Sequence, residues 1–196
     1  MKAAHWMAAV LVSTAGLSSC KSLPPMHYYA LDPVAPKSSV AGGSGFTGLL
    51  RIRHLSVPHE MDHLGITHHV GPTQLAISDT EQWSAPLTDL IQGTVTRDLG
   101  ARLGFEHVVA PDALPTAGPN TIGALDLDFV TLTADDACAV DAQVSWTFLM
   151  PGGTPRRGSL HLMATATSCP GGLPGALSAA LGDLADQLAA QLPIPP

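Results

Sequence analysis

Val140-Asp141-Ala142-Gln143-Val144-Ser145-Trp146-Thr147-Phe148 alternates apolar with polar side chains along its whole length. A period of two puts Val140, Ala142, Val144, Trp146 and Phe148 on one face of a β-strand and the polar residues on the other. Upstream, Leu125-Asp126-Leu127-Asp128-Phe129 has the same pattern. Both read as antiparallel strands with one wet face. Downstream, Pro151-Gly152-Gly153-Thr154-Pro155 turns the chain, and residues 159–167 return with Leu160 and Leu162 marking a face. Centring this hairpin between Gly153 and Thr154 sets Trp146 opposite His161 and Cys138 opposite Cys169. That register leaves Leu160 and Leu162 on the wrong face, so a one-residue bulge is expected between the turn and Cys169.

Two helices flank this β-rich stretch. Leu87, Leu90, Ile91, Val95, Leu99 and Leu103 recur at helical spacing behind Trp83-Ser84-Ala85-Pro86, with Gly104 as the stop. Near the C-terminus, Leu177, Leu181, Leu184, Leu188 and Leu192 form one stripe that begins by Pro174 and ends at Pro193. Residues 49–57 alternate as a strand ending at Pro58; residues 66–69 and 74–77 form a short hairpin; residues 105–110 form another strand. Tyr28-Tyr29-Ala30-Leu31 is a first short strand, followed by a Pro, Ser and Gly-rich connection over 33–45. The expected fold is α+β: a mixed, largely antiparallel sheet with both amphipathic helices on one face.

The chain opens with Lys2, an apolar run over 3–15 and then Leu17-Ser18-Ser19-Cys20. This is a secretory signal, too short to persist as a span of roughly 20 apolar residues. Its end resembles a lipobox, which makes Cys20 the lipid attachment site and first mature residue. Two or more acyl chains anchor stably. Lys21, in place of the aspartate that retains lipoproteins at the inner membrane, directs the protein to the outer membrane under the sorting rules. The expected organisation is a signal over 1–19, a lipidated N-terminus with first strand and linker over 20–48, and a single domain over 49–196 that the 28–31 strand joins.

Composition excludes some functions. Cleavage removes Lys2 and no acid, leaving 8 basic and 16 acidic residues, a balance of −8. Such a chain does not bind nucleic acid through its phosphates. With Cys20 assigned to lipid, Cys138 and Cys169 remain as a pair in an oxidising compartment, and a disulfide is the simplest reading.

His59-Glu60-Met61-Asp62-His63 matches H-E-x-x-H, in which a helix presents two imidazoles to zinc and the glutamate acts as base. Pro58 before it and Gly65 after it leave barely two turns, and His68 and His69 lie at no stereotyped spacing for a third ligand. Incidental metal capture by His54, His59, His63, His68 and His69 fits better than catalysis, and plain exposed loop histidines fit best. Asp126, Asp128, Asp135, Asp136 and Asp141 lack EF-hand spacing and read as a solvated strand face. No G-x-S-x-G elbow and no phosphate-binding P-loop occur in the sequence. No catalytic residue, metal site or cofactor is assigned.

The order of motifs resembles the ABC-type transport auxiliary lipoprotein family, also called PqiC or YmbA-like. The resemblance rests on Cys20, then Tyr28-Tyr29-Ala30-Leu31-Asp32-Pro33, Arg51-Ile52 leading to Val57-Pro58, Met61-Asp62-His63-Leu64-Gly65-Ile66, and Trp83 with Pro86-Leu87 opening the helix to Leu103-Gly104. His59 and His63 stand where relatives carry other residues. The resemblance implies a non-catalytic periplasmic subunit anchored in the outer membrane. Such a subunit assembles as a homo-oligomeric ring and docks on an MCE-type partner of an ABC-type lipid transport system. An alternative is an independent lipoprotein enclosing an apolar ligand in a cavity lined by Leu127, Phe129, Trp146 and Phe148. A zinc hydrolase through His59, Glu60 and His63 is the third.

Overall fold

The computed structural model describes residues 24–37, 48–113, 122–166, 168 and 170–192. Its strands are β1 (His27–Tyr29), β2 (Leu49–Ser56), β3 (Gly65–His69), β4 (Leu75–Trp83), β5 (Val108–Val109), β6 (Ile122–Ala134), β7 (Ala139–Leu149) and β8 (Arg156–Thr165). Helix α1 spans Leu87–Leu103 and α2 spans Leu173–Gln191. The fold class is α+β. The strands divide into two sheets: a three-stranded sheet ordered β1-β4-β3 and a five-stranded sheet ordered β5-β2-β6-β7-β8. Among the described residues, a parallel bridge from His69 to Asp135 links them.

The five-stranded sheet is half buried, as its alternation dictates. Val144, Trp146 and Phe148 of β7 and Leu125, Leu127 and Phe129 of β6 join one core with Ile91, Val95 and Leu99 of α1 and Leu181, Leu184 and Leu188 of α2. Both helices thus cover the same sheet face. Each fully buried Leu or Phe contributes about 1.5–3 kcal/mol by leaving water.

The β7–β8 register corrects one expectation. Pairing runs unbroken from Phe148 and Arg156 to Ala139 and Thr165, so the bulge expected between the turn and Cys169 is not found in this ladder. The turn pivots on Gly152, whose φ of 71° is the left-handed conformation that glycine adopts without strain. Trp146 therefore faces Gly158 rather than His161, and Leu160 and Leu162 face Val144 and Ala142 on the core side. The Trp146 ring lies over Gly158, in the space a Cβ would need.

Bulges occur elsewhere, each where the apolar parity changes. In β6 the register shifts between Phe129 and Thr131, so that Phe129 and Leu132, three apart, both face the core. In β2 it shifts between Ile52 and His54, which does the same for Ile52 and Leu55. Residues 105–110, read as one strand, instead begin with a 3-10 turn, Phe105–His107, before β5. Gly104, with φ 99°, ends α1 there and turns the chain so that the Phe105 ring packs on Gly100.

The first strand is parallel to β4, pairing His27 with Glu81 and Tyr29 with Trp83. Strand β4 runs to Trp83, well beyond the short hairpin arm read from sequence. Between Gly65 and Thr67 the β3–β4 register jumps from Gln82 to Ile77, and Ser78 Oγ accepts hydrogen bonds from the Thr80 and Glu81 amides inside the bulge. Ile77 folds over Gly65, whose missing Cβ would lie 2.6 Å from Ile77 Cγ2 and from the Ser78 carbonyl oxygen.

Candidate interaction surfaces and the tether

After β1 the chain does not leave the domain. Residues 31–37 cross the two helices as a strap. Leu31 is buried, and its carbonyl accepts from the Thr94 hydroxyl and from Arg97. The Asp32 amide donates to Ser178 Oγ on α2. Val34 packs against Gly182, where a Cβ would lie 2.7 Å from Val34 Cβ. Lys37 pairs with Asp183 at 2.6 Å.

Arg102 is the centre of this clamp. Its side chain is 3% exposed, and it donates to the carbonyls of Val34, Asp98 and Gly182 and to Asp186 Oδ1 at 2.6 Å. Asp98, fully buried, accepts from the Val34 amide at 2.8 Å and lies 3.7 Å from the guanidinium. One planar fork thus ties both helices to the strap, a task that suits arginine's fixed array of donors. Burial pushes the Asp98 carboxyl above its ordinary range, against the opposing pull of the Val34 amide and of Arg102 and Arg97. At the start of the strap, the Tyr29 hydroxyl and the His27 ring hold the Glu81 carboxyl below the usual carboxylate range.

The other face of the five-stranded sheet is open and polar. Arg53, the extra residue of the β2 bulge, makes a bidentate pair with Asp126. Ser56 donates to Asp128, His161 bonds Asp141 at 2.8 Å, and the Asp135 carboxylate accepts from the Ala139 amide. These contacts account for most of the acidic cluster, and no group of three or more metal-ligating side chains converges among the described residues. Val130 and Met163 are the large apolar side chains exposed on this face. Strand β8 forms one sheet edge and carries Arg156-Arg157 at its start, charges that discourage indiscriminate strand pairing.

The H-E-x-x-H residues occupy a turn, not a helix. Met61 is buried in the core, its amide bonded to the Pro58 carbonyl. Asp62 Oδ1 accepts from the Thr88 amide at the start of α1, while His59, Glu60 and His63 are exposed. Leu127, Phe129, Trp146 and Phe148 are each at most 5% exposed within the packed core. A small cavity elsewhere among the described residues, bordered by Met61, Trp83, Leu132 and Leu177, holds only about 20 Å³, far below the roughly 300 Å³ at which ligand pockets begin.

Cys20 and Cys169 lie outside the described residues. Cys138 is buried with φ 59°, and its Sγ is 2.8 Å from the carbonyl oxygen of Ser168, the residue before Cys169. The register places Ala166, not Cys169, across from Cys138, with the Ala166 amide donating to the Cys138 carbonyl.

The strap and the buried Asp98–Arg102 cluster escaped the sequence reading, although the α1 spacing that carries the cluster did not. The signal was present: Asp98 and Arg102 are four apart and in phase with the apolar stripe, since Asp98 neighbours Val95 and Leu99.

The scaffold combines a packed core, an N-terminal strap over both helices and an open polar sheet face. The sequence model of the ABC-type transport auxiliary lipoprotein component family matches residues 29–192, and the chain belongs to that family. No curated protein matches. Among solved structures, an uncharacterized protein superposes with a TM-score of 0.66 at 16% identity, covering 86% of this chain and 99% of that one. Protein XCC0632 from Xanthomonas campestris superposes with a TM-score of 0.58 at 18% identity, covering 82% and 91%. At these identities the likeness is one of fold. No helix among the described residues is long and apolar enough to cross a membrane.

Proposed function

We propose that this chain is a non-catalytic accessory subunit of an ABC-type intermembrane lipid transport system with an MCE-domain partner, in the manner of PqiC. It is anchored in the outer membrane through lipid on Cys20, faces the periplasm, and acts by tethering and assembly. The observation that carries this reading is the strap: the segment that follows Cys20 is fastened to both helices by Arg102. Position on the membrane is thereby passed to the whole domain. The polar open sheet offers a docking face, and a homo-oligomeric ring would use a heterologous interface that closes on itself.

A Cys20→Ala protein carrying a signal sequence that is cleaved without lipidation is expected to fold normally, to move from the outer-membrane fraction to the soluble periplasm, and to lose transport complementation. Full complementation by that soluble variant would remove tethering from the function. Capture of an MCE-domain protein by the wild-type chain after crosslinking tests the partner, and its consistent absence from a functional complex would reject this assignment.

We also propose the Cys138–Cys169 disulfide, supported by the approach of Cys138 Sγ to Ser168. Non-reducing peptide mapping of periplasmic protein should give one crosslinked peptide holding both residues. Free thiols at both positions would refute it.

A further inference from the structure

We infer that the outer face of the β1-β4-β3 sheet lies on the membrane surface, with Met26, Tyr28 and Ile77 inserted at the boundary between headgroups and acyl chains. This rests on the lipidation of Cys20. Among the described residues, eight large apolar side chains are exposed, and five of them, Met26, Tyr28, Leu64, Val70 and Ile77, belong to these strands or directly flank them. The concentration is not an accident of one strand. Tyr29 and Trp83 pair and pack inward, so Tyr28, with its partner Gln82, points outward, and Met26 shares the parity of Tyr28. Gly65 pairs with Gln82 on the far side of β4, and Ile77 lies over Gly65. Tyr28, Gln82 and Gly65 therefore form one row across β1, β4 and β3, with Ile77 covering its Gly65 end and an amphipathic aromatic at the other, the kind of side chain that settles where apolar and wet environments meet.

The length of the tether selects the membrane as occupant. Six residue steps separate Cys20 from Met26, which at 3.3–3.6 Å each span at most about 20 Å. A domain of this size is about 40 Å across. The acylated cysteine thus holds this end of the molecule near the lipid, and the strap prevents the domain from turning away by unspooling residues 31–37. Lys21, beside the acyl chains, adds attraction to anionic headgroups. Glu81 is held by His27 and Tyr29 on the inward side of β1 and β4, and Asp79, exposed on β4 between Ile77 and Gln82, is the acid that would sit at the level of the headgroups.

The test uses the full lipidated chain in phosphatidylethanolamine/phosphatidylglycerol vesicles carrying a doxyl-labelled lipid. Wild-type Trp83 and Trp146, each 5% exposed, provide a common background. Tryptophan is introduced by Tyr28→Trp or Ile77→Trp, and by Met163→Trp on the open face of the other sheet as a control. Quenching of the first two should exceed that of the control by about threefold or more, as expected for side chains buried at the interface. Protein that floats with vesicles yet shows equal quenching at all three positions overturns the inference. The same holds if the emission added by Tyr28→Trp shifts with protein concentration rather than with lipid, which would make the row a contact between copies. Failure to float at all rejects the anchor itself and the inference with it.

Discussion

An Arg102→Met protein is expected to lose about 3–5 kcal/mol of stability, because a buried charge cluster missing one partner leaves the other charge uncompensated. Methionine keeps much of the arginine's volume, so the loss is electrostatic rather than a cavity. Asp98 would remain buried with only the Val34 amide and the more distant Arg97 to offset its charge, and the carbonyls of Val34 and Gly182 would lose their donor. Urea denaturation measures the loss, and limited proteolysis within residues 31–37 should become faster. Arg102→Lys should recover little, since a single ammonium cannot reach the same set of acceptors. A change below about 1 kcal/mol would show that the cluster behaves as an ordinary surface pair. The cluster also sets a pH dependence. The folded state holds the Asp98 proton more tightly than the unfolded state, because burial raises this carboxyl. Stability from this group is therefore greatest below the ordinary aspartate value near 4 and declines as pH rises through the raised folded value. Asp98→Asn should flatten that decline; an unchanged profile would place the titration elsewhere.

Phe148→Ala is expected to cost about 3–5 kcal/mol, the range for removing a buried aromatic from a packed core. The Phe148 ring is 2% exposed and fills the space above Gly123, where an added Cβ would meet it at 2.7 Å. The same experiment separates a filled core from a ligand chamber. A truncation that cost less than about 1 kcal/mol would imply a site that does not need to be full, and apolar-ligand binding at that wall would then merit direct measurement. Thermal or denaturant unfolding decides between the two.

Local pattern made most of this fold readable. The alternation of β6 and β7 and the leucine stripe of α2 belong to sequences whose neighbours in space are their neighbours in period. The β7–β8 register was misplaced for a definite reason: Gly152-Gly153 offers two pivots, and only the core-side fit of Leu160 to Val144 chooses Gly152. Moving the turn removed the need for the expected bulge. The bulges that do exist could have been found from parity, since Phe129 and Leu132, and likewise Ile52 and Leu55, cannot share a face of a regular strand. The split into two sheets was not legible, because the β1–β4 pairing joins residues more than fifty positions apart and no local signal marks it. That the H-E-x-x-H stretch is a turn and not a helix was legible from Pro58 and Gly65. The strap was missed because a Pro-rich stretch reads as a loop, and its order comes from Asp98, Arg102 and Ser178 on distant helices.

That dependence on distant helices has a consequence for the order of events during biogenesis. The Asp32 amide bonds Ser178, 146 positions later, and Val34 rests on Gly182 of the last helix. Contacts this far apart in sequence close late, after local structure has formed. The segment that leaves the translocon first therefore has its seat completed last. With Cys20 as the proposed anchor, the strap has no seat until α2 emerges and docks, and latching by Arg102 then converts a slack leash into a fixed mount.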